Sequence, residues 1–264
     1  MVFNNSELLK KLNIKHFRSL ESTSTYLKQE AELGADSCTV IIADIQSGGR
    51  GRMGRSFLSP EGGLYMSILL RPSEDLGGIK ACNGVHITAL AAVAVKEAIK
   101  NVTGIDTYIK WVNDLYLGGK KVCGILAEGV LDEQGGFEYV VLGIGINIIG
   151  DFVGTELEGI ATSLYKAIDK KTLTELKNRL CDEILRIFLN RYELELESGS
   201  FFDDYKSSLF IIGKGVEVIS GDLSKNATVI DLNRDFTLLV RLDDGSELSL
   251  NSGEVRLRVQ NEKS

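Results

Sequence analysis

Histidine is scarce in this sequence, at two residues, and the four cysteines (Cys38, Cys82, Cys123, Cys181) are scattered with no CxxC pair. A zinc cluster therefore lacks a ligand set. Cys123 and Cys181 fall in segments with apolar faces and read as buried thiols, a common fate of free cysteine. Long apolar runs are missing too. The longest, such as 139–149, are short and broken by glycine, so nothing reads as a bilayer span. The first residues, MVFNNSELLKKLNIKHF, lack the apolar core and small-residue cleavage site of a secretory signal. The cytoplasm is the expected location. No internal repeat or low-complexity segment stands out, and a net charge of −7 argues against general nucleic-acid binding.

What is present is an ordinary globular composition, 44% apolar and 25% charged over 264 residues, enough for one large domain and a small one. Ser22-Thr23-Ser24-Thr25 followed by YLKQEAEL and Gly34 predicts a capped helix of about three turns. Residues 39–45 and 64–70 read as strands, the latter closed by Arg71-Pro72. Ile87, Leu90, Ala91, Ala94 and Ala98 form the stripe of a helix over 84–100. Strands are expected at 107–111, 114–117, 122–131 and 137–148, with hairpin signals at Gly118-Gly119 and Gly135-Gly136. A long amphipathic helix is predicted over 172–197, with Thr172 and Glu175 as its capping box. Residues 201–209 are expected to continue it after Gly199. Beyond Ile212, short strands with turns at Gly215, Gly221, Asn226, Asp243-Asp244-Gly245 and Gly253 suggest a small antiparallel barrel. The fold class is therefore α+β, with a domain boundary near 210: glycine hairpins make antiparallel pairs rather than βαβ crossovers.

Two segments carry chemistry. Residues 48–55, GGRGRMGR, lie in a stretch (45–58) with three arginines and no acid. The segment matches GxGxxG and nearly matches a P-loop, but both motifs need a helix N-terminus behind the loop. Here SFLSPEGGLYMSILL follows, which reads as turn then strand. What remains is a loop in which Arg50, Arg52 and Arg55 suit a phosphate-bearing small molecule, or else a solvated surface loop. The hairpin KWVNDLYLGGKKVCGILAE puts Lys110 and Lys121 on opposite sides of its turn, with Asn113-Asp114 between apolar neighbours. That set suits a nucleotide and a metal: ammonium for phosphate, carboxylate for Mg²⁺, amide for a base edge. Surface lysines with a polar bulge are the alternative.

The ordered set ESTSTYLK, DIQSGGRGRMGR, SPEGGLYMSILLRP, KWVNDLYLGGKKVCGIL, GIGINI, ATSL and GEVRLR resembles the biotin–protein ligase family, from about residue 13 to 258. The resemblance implies a catalytic domain over 1–210, with a mixed, largely antiparallel sheet and packed helices, and an SH3-like β barrel over 211–264. It implies activation of biotin by ATP to biotinyl-5′-AMP and transfer to a lysine of a biotin carboxyl-carrier domain of a biotin-dependent carboxylase. Ser22, Thr23, Ser24, Gln46 and Arg50 would meet the ureido ring. Gly124, Ile125 and Leu126 would line the thiophane and valeryl chain, if they are not simply buried strand. ATP and the adenylate would be held by Arg50, Arg52, Arg55, Lys110, Asn113, Lys121 and Asn147, with Phe57 against adenine or, alternatively, in the core. Residues 151–161 match a second loop that closes over the nucleotide. Lys121, Asp114 and Arg52 are the expected catalytic residues, with Asp114 serving either the acceptor ammonium or Mg²⁺. Val112 replaces the family's usual proline, which should loosen the turn. Too few residues precede the matching region for a helix-turn-helix, so a ligase without repressor function is expected: no DNA, no membrane, a homodimer left open. The rivals are a lipoate or octanoate ligase of the same fold, whose RRxSGGG-type signature is absent, a non-catalytic biotin sensor, and a nucleotide-binding interaction module.

Overall fold

The run TVIIA that opens TVIIADIQ and the apolar GLYMSILL both lack a polar face, so each is stable only as a strand covered on both sides. In the computed structural model, which describes residues 6–76, 84–220, 223–251 and 256–259, they form β2 (Thr39–Gln46) and β3 (Gly63–Leu70). All 8 residues of β3 are buried. With β1 (Asn13–Leu20), β4 (Tyr108–Lys110), β5 (Asp114–Leu117), β6 (Lys120–Leu131) and β7 (Phe137–Asn147) they build a seven-stranded sheet in the order β1-β2-β3-β7-β6-β5-β4. Every neighbouring pair is antiparallel except β1–β2. That parallel pair is joined through α1 (Thr23–Glu32), so one β–α–β unit stands in a sheet expected to be made of hairpins. Strand β1 was not legible: its residues are mostly exposed or half-buried, as suits an edge, and carry no apolar run.

The two faces of the sheet bury different partners. Leu27 and Ala31 of α1 pack on Ile41, Leu69, Tyr139 and Val141 on one face. On the other, α3 (Gly84–Thr103) and α4 (Lys170–Glu195) pack together over Ile68, Leu70, Val140, Leu142 and Ile144. A short helix, α2 (Pro72–Asp75), follows β3.

Several boundaries differ from expectation for identifiable reasons. Helix α4 is capped by Asp169, whose carboxylate accepts from the Lys171 and Thr172 amides at 3.0 Å each, so Thr172 lies inside the first turn instead of capping it. Gly199 adopts φ +65°, which ends the chain's helical course. Residues 202–207 therefore form a separate helix, α5 (Phe202–Ser207). Gly215 opens β8 (Gly215–Ser220), and Asn226 sits within β9 (Leu223–Leu232) opposite Glu217, so neither is a turn. The turn at Asp243-Asp244-Gly245 is present, between β10 (Leu238–Leu242) and β11 (Glu247–Leu250). Gly221, Gly253 and Cys82 lie outside the described residues. With β12 (Arg256–Val259) the C-terminal strands make an antiparallel sheet in the order β11-β10-β9-β8-β12. No pairing closes it among the described residues. No helix among those residues is long and apolar enough to cross a membrane. Cys38, Cys123 and Cys181 are free and buried, and burial pushes the Cys38 thiol up to about 11 and the Cys181 thiol up to about 12.

Asp75, at the end of α2, gives a test of the packing. Its Oδ2 accepts from Ser37 Oγ (2.8 Å), the Arg71 amide (2.9 Å) and Tyr192 OH (3.4 Å), while Oδ1 is buried with no partner among the described residues. Burial raises its pKa despite those hydrogen bonds. A raised folded-state pKa means the protonated form contributes stability at low pH, and that contribution is lost as pH rises through the folded value. The melting temperature of Asp75→Asn relative to the parent chain should therefore climb as pH rises from the ordinary carboxylate range toward neutrality. A flat difference across that range would show that the carboxyl is not penalised.

Candidate active site

On the α1 face, the row occupied by Leu69 and Val141 continues past the N-terminus of α1 as Ser67, Gly143, Gly145 and Asn147. A cavity of about 640 Å³ opens there. Every site residue expected from the sequence lines it: Ser22, Thr23, Ser24, Gln46, Arg50, Arg52, Arg55, Phe57, Lys110, Asn113, Asp114, Lys121, Gly124, Ile125, Leu126 and Asn147. From the 151–161 segment, Leu157, Ile160 and Ala161 complete the rim. That segment is tied to the hairpin by the Lys121 amide bonding to Ile160 O at 2.9 Å.

One end of the cavity is built from hydroxyls and an amide. Ser22 caps α1, its Oγ accepting from the Thr25 amide at 3.3 Å, so the capping and the cavity-lining readings both hold. Gln46 Oε1 accepts from Thr23 N (2.8 Å) and Thr23 Oγ1 (3.1 Å), and Gln46 Nε2 donates to Ser59 Oγ (2.8 Å). Thr23 Oγ1 also meets Ser67 Oγ at 2.8 Å, and Ser67 Oγ meets Ser24 Oγ at 3.0 Å. Each hydroxyl has one proton to give. Since Thr23 donates to Gln46, Ser67 must donate to Thr23 and Ser24 to Ser67, which orients the whole chain of bonds. Ser67 and Ser59, 0% and 2% exposed, were missed in the sequence because an isolated serine in a strand or a loop carries no pattern.

The other end is cationic. Lys121 Nζ lies 2.7 Å from Asp114 Oδ1 and 5.6 Å from the centre of the Phe57 ring. Lys110 Nζ donates to Tyr116 OH at 3.1 Å and sits 4.9 Å from that ring's centre. Both lysines are half-buried, so the surface-lysine alternative fails. Asn113 is anchored at both ends of its amide: Nδ2 donates to Ile125 O (2.6 Å) and Oδ1 accepts from Arg52 Nη1 (3.2 Å). Asn147 Nδ2 donates to Thr162 O at 3.1 Å. Burial lowers the pKa of Arg52 and of Lys110, Arg55 lowers both further, and Asp114 opposes the shift in each. Arg52 stays cationic regardless. Partly desolvated cations gathered around one carboxylate make a site that favours a polyanion.

The glycine-arginine loop folds as a tight hairpin, with the Gly51 amide bonding to Arg55 O (2.7 Å) and the Phe57 amide to Gly49 O (2.8 Å). It contains one 3-10 turn, Arg52–Gly54, and leads into β3, so no helix N-terminus stands behind it. Arg50 reaches Glu128 Oε1 at 3.6 Å, where Lys28 also binds at 2.7 Å. Glu128 was not foreseen, although it follows Leu126 on the same strand face.

Phe57 settles onto the sheet because two strand positions have no side chain. A Cβ on Gly145 would stand 2.7 Å from its ring and one on Gly124 3.0 Å. Ile125 borders the cavity, but its side chain, 1% exposed, belongs to the core on the opposite face, which is the buried-strand alternative. The Val112 turn is also not loose. Val112 is 2% exposed and its carbonyl accepts from Tyr205 OH at 2.8 Å.

A model of the biotin/lipoate A/B protein ligase family matches residues 16–147, half of the chain and nearly all of this cavity's wall. The chain belongs to that family. It is 42% identical over 156 residues to the bifunctional ligase/repressor BirA of Bacillus subtilis, covering 58% of this chain and 46% of that protein, so it spans about half the length of that relative. Against the biotin–[acetyl-CoA-carboxylase] ligase of Mycobacterium tuberculosis it is 29% identical over 239 residues, 88% of this chain and 80% of the other. Among solved structures, the biotin protein ligase from Aquifex aeolicus in complex with biotin and ATP superposes with a TM-score of 0.72 at 29% identity, covering 94% of this chain and 99% of that one.

Proposed function

We propose that this chain is a biotin–protein ligase, activating biotin with ATP and transferring it to a lysine of a biotin carboxyl-carrier domain. The observation that carries the reading is one cavity with a hydroxyl–amide end and a cationic end. An uncharged urea needs donors and acceptors together, which Ser22, Thr23 and Gln46 supply. A lipoate or octanoate tail has no such need, so the polar end favours biotin over the rival substrates. The similarity to relatives named for biotin supports the same choice.

In the first step a biotin carboxylate oxygen attacks the α-phosphorus of ATP, the bond to the β-phosphate bridging oxygen breaks, and pyrophosphate leaves. Lys121, Arg50, Arg52 and Arg55 would stabilise the charge on that phosphate, while Phe57, Lys110, Asn113 and Asn147 hold the nucleotide. In the second step an acceptor amine attacks the acyl carbon of biotinyl-5′-AMP, the anhydride C–O bond breaks, and AMP leaves. Asp114 would receive the ammonium proton, and Arg52 with its loop would keep the adenylate from water. The described residues hold no cluster of three or more metal-binding side chains. Mg²⁺ would enter with the ATP phosphates, and Asp114 is the one carboxylate of the cavity lining able to join them. The division near residue 210, an SH3-like form for the C-terminal sheet, and a cytoplasmic setting suited to buried free thiols belong to the same proposal. DNA and membrane partners form no part of it.

Three measurements test it. Pyrophosphate should exchange into ATP only when biotin is present; exchange without biotin, or none with it, refutes the ligase. Biotin should also slow trypsin cleavage at Arg50, Arg52 and Arg55, because ligand contacts order the loop. Equal cleavage at saturating biotin counts against the site. The half-reactions then separate roles. Lys121→Ala should lower adenylation by about 2.7–4 kcal/mol of barrier, or two to three decades, by analogy with a deleted oxyanion donor. Asp114→Asn should harm transfer from preformed biotinyl-AMP more than adenylation. If adenylation falls at least as far as transfer in single turnovers, Asp114 serves Mg²⁺ instead.

A further inference from the structure

The C-terminal sheet reaches the turn that carries Asn113 and Asp114. Trp111 Nε1 donates to Phe236 O at 2.8 Å, and Tyr205 OH donates to Val112 O at 2.8 Å, both buried bonds. Phe236 stands in the turn between β9 and β10 with φ +64°, a left-handed conformation that costs a bulky side chain energy and persists only when its surroundings enforce it. They do. The Phe236 amide bonds to Asn233 O (2.9 Å), the Asn233 amide to Thr237 O (2.9 Å), and Asp235 Oδ1 accepts from the Thr237 amide (3.0 Å). The Phe236 ring is lodged among Phe201, Phe202, Tyr205 and His86, with centroid distances of 5.0–5.5 Å. From the opposite side, β6 grips the same turn through the Ile125 amide to Asn113 O (3.0 Å) and Asn113 Nδ2 to Ile125 O (2.6 Å). The segment that presents Lys110, Asn113 and Asp114 is thus held between a cavity strand and an aromatic hub whose centre belongs to the second sheet.

We propose that Tyr205 and Phe236 are positioning residues for adenylation: seating of the C-terminal sheet on the Trp111–Val112 segment fixes the reacting end of the cavity, while the biotin end is independent of it. The proposal rests on the ligase reading above. The independence follows from construction, since Thr23, Gln46, Ser59 and Ser67 are held by one another on α1, β2, β3 and the loop before β3, and Ser22 is fixed as the cap of α1. Small misplacements of a reacting group cost rate steeply, whereas ground-state binding at a separate subsite is spared.

Tyr205→Phe keeps the ring in the hub and removes only the bond to Val112 O. The first-order rate constant of adenylate formation in single turnovers, which does not depend on the folded fraction, should fall about three- to tenfold, the range of one lost hydrogen bond. The KM for biotin should stay unchanged. Trp111 is the sole tryptophan, 8% exposed, so its emission reports the seating directly and should shift. Asp235→Ala, an exposed change that loosens the Phe236 turn, should act in the same direction and guards against a Tyr205 variant that fails to fold. A lowered melting temperature with an unchanged rate constant in both variants would overturn the proposal, since that is the signature of a merely structural hub. A rise in biotin KM matching the fall in rate would overturn it too. A parent chain without biotin-dependent exchange would refute the ligase reading; Trp111 emission unmoved by both variants would then separately refute the clamp.

Discussion

The site exists because α1 is too short for the sheet it covers. Its 10 residues span about 15 Å, whereas the 11 residues of β7 run about 35 Å. Where the helix ends, Leu27 and Ala31 stop covering the row of Leu69 and Val141, and apart from Tyr65 the next residues in that row are serine, glycine and asparagine. The opposite face, sealed by α3 and α4, carries the apolar core without interruption. One face of one sheet is therefore core at one end and cavity at the other. The N-terminus of α1, with Ser22 as its cap, stands at the junction.

Within that cavity, the two ends are held by different physics. Neutral hydroxyls and an amide satisfy one another in an oriented chain from Ser24 to Gln46, so the pocket is pre-formed and leaves few polar groups to desolvate on binding. At the other end the lysines and arginines are only partly paired. The Lys121–Asp114 pair is about one quarter exposed on each side, so solvent still screens it and its net worth to stability is modest. Its value lies in keeping a cation and a carboxylate together beside the ring of Phe57. Two glycine slots and an aromatic ring thus set where Lys121 rests, which ties the charge of the site to the packing of β6 and β7.

The elements that the sequence announced were those in which local chemistry and tertiary context agree. Periodicity located α1, α3 and most of the central strands, and the hairpin at Gly118-Gly119 followed from two residues that both adopt positive φ. It failed where strand pairing decides the outcome, or where two neighbouring residues compete for the same cap. Strand β1 forms because β2 offers it a parallel edge, Asp169 caps α4 in place of the capping box read at Thr172, and Asn226 is carried through β9 by its pairing with Glu217.

The sixteen candidate residues stood in the sequence as an ordered set of motifs, and the structure brings all of them to one cavity. What the sequence determined by itself was which chemistries are available: arginines without acids, a lysine pair around Asn113-Asp114, hydroxyls at a helix start. Local composition and spacing suffice for that. Only the tertiary structure decided that Ile125 turns its side chain into the core, that Ser59, Ser67 and Glu128 support the site, and that Phe236, more than a hundred residues away, holds the indole of Trp111. These are contacts between distant segments, set by sheet register and by the packing of one sheet against another, and no local pattern encodes them.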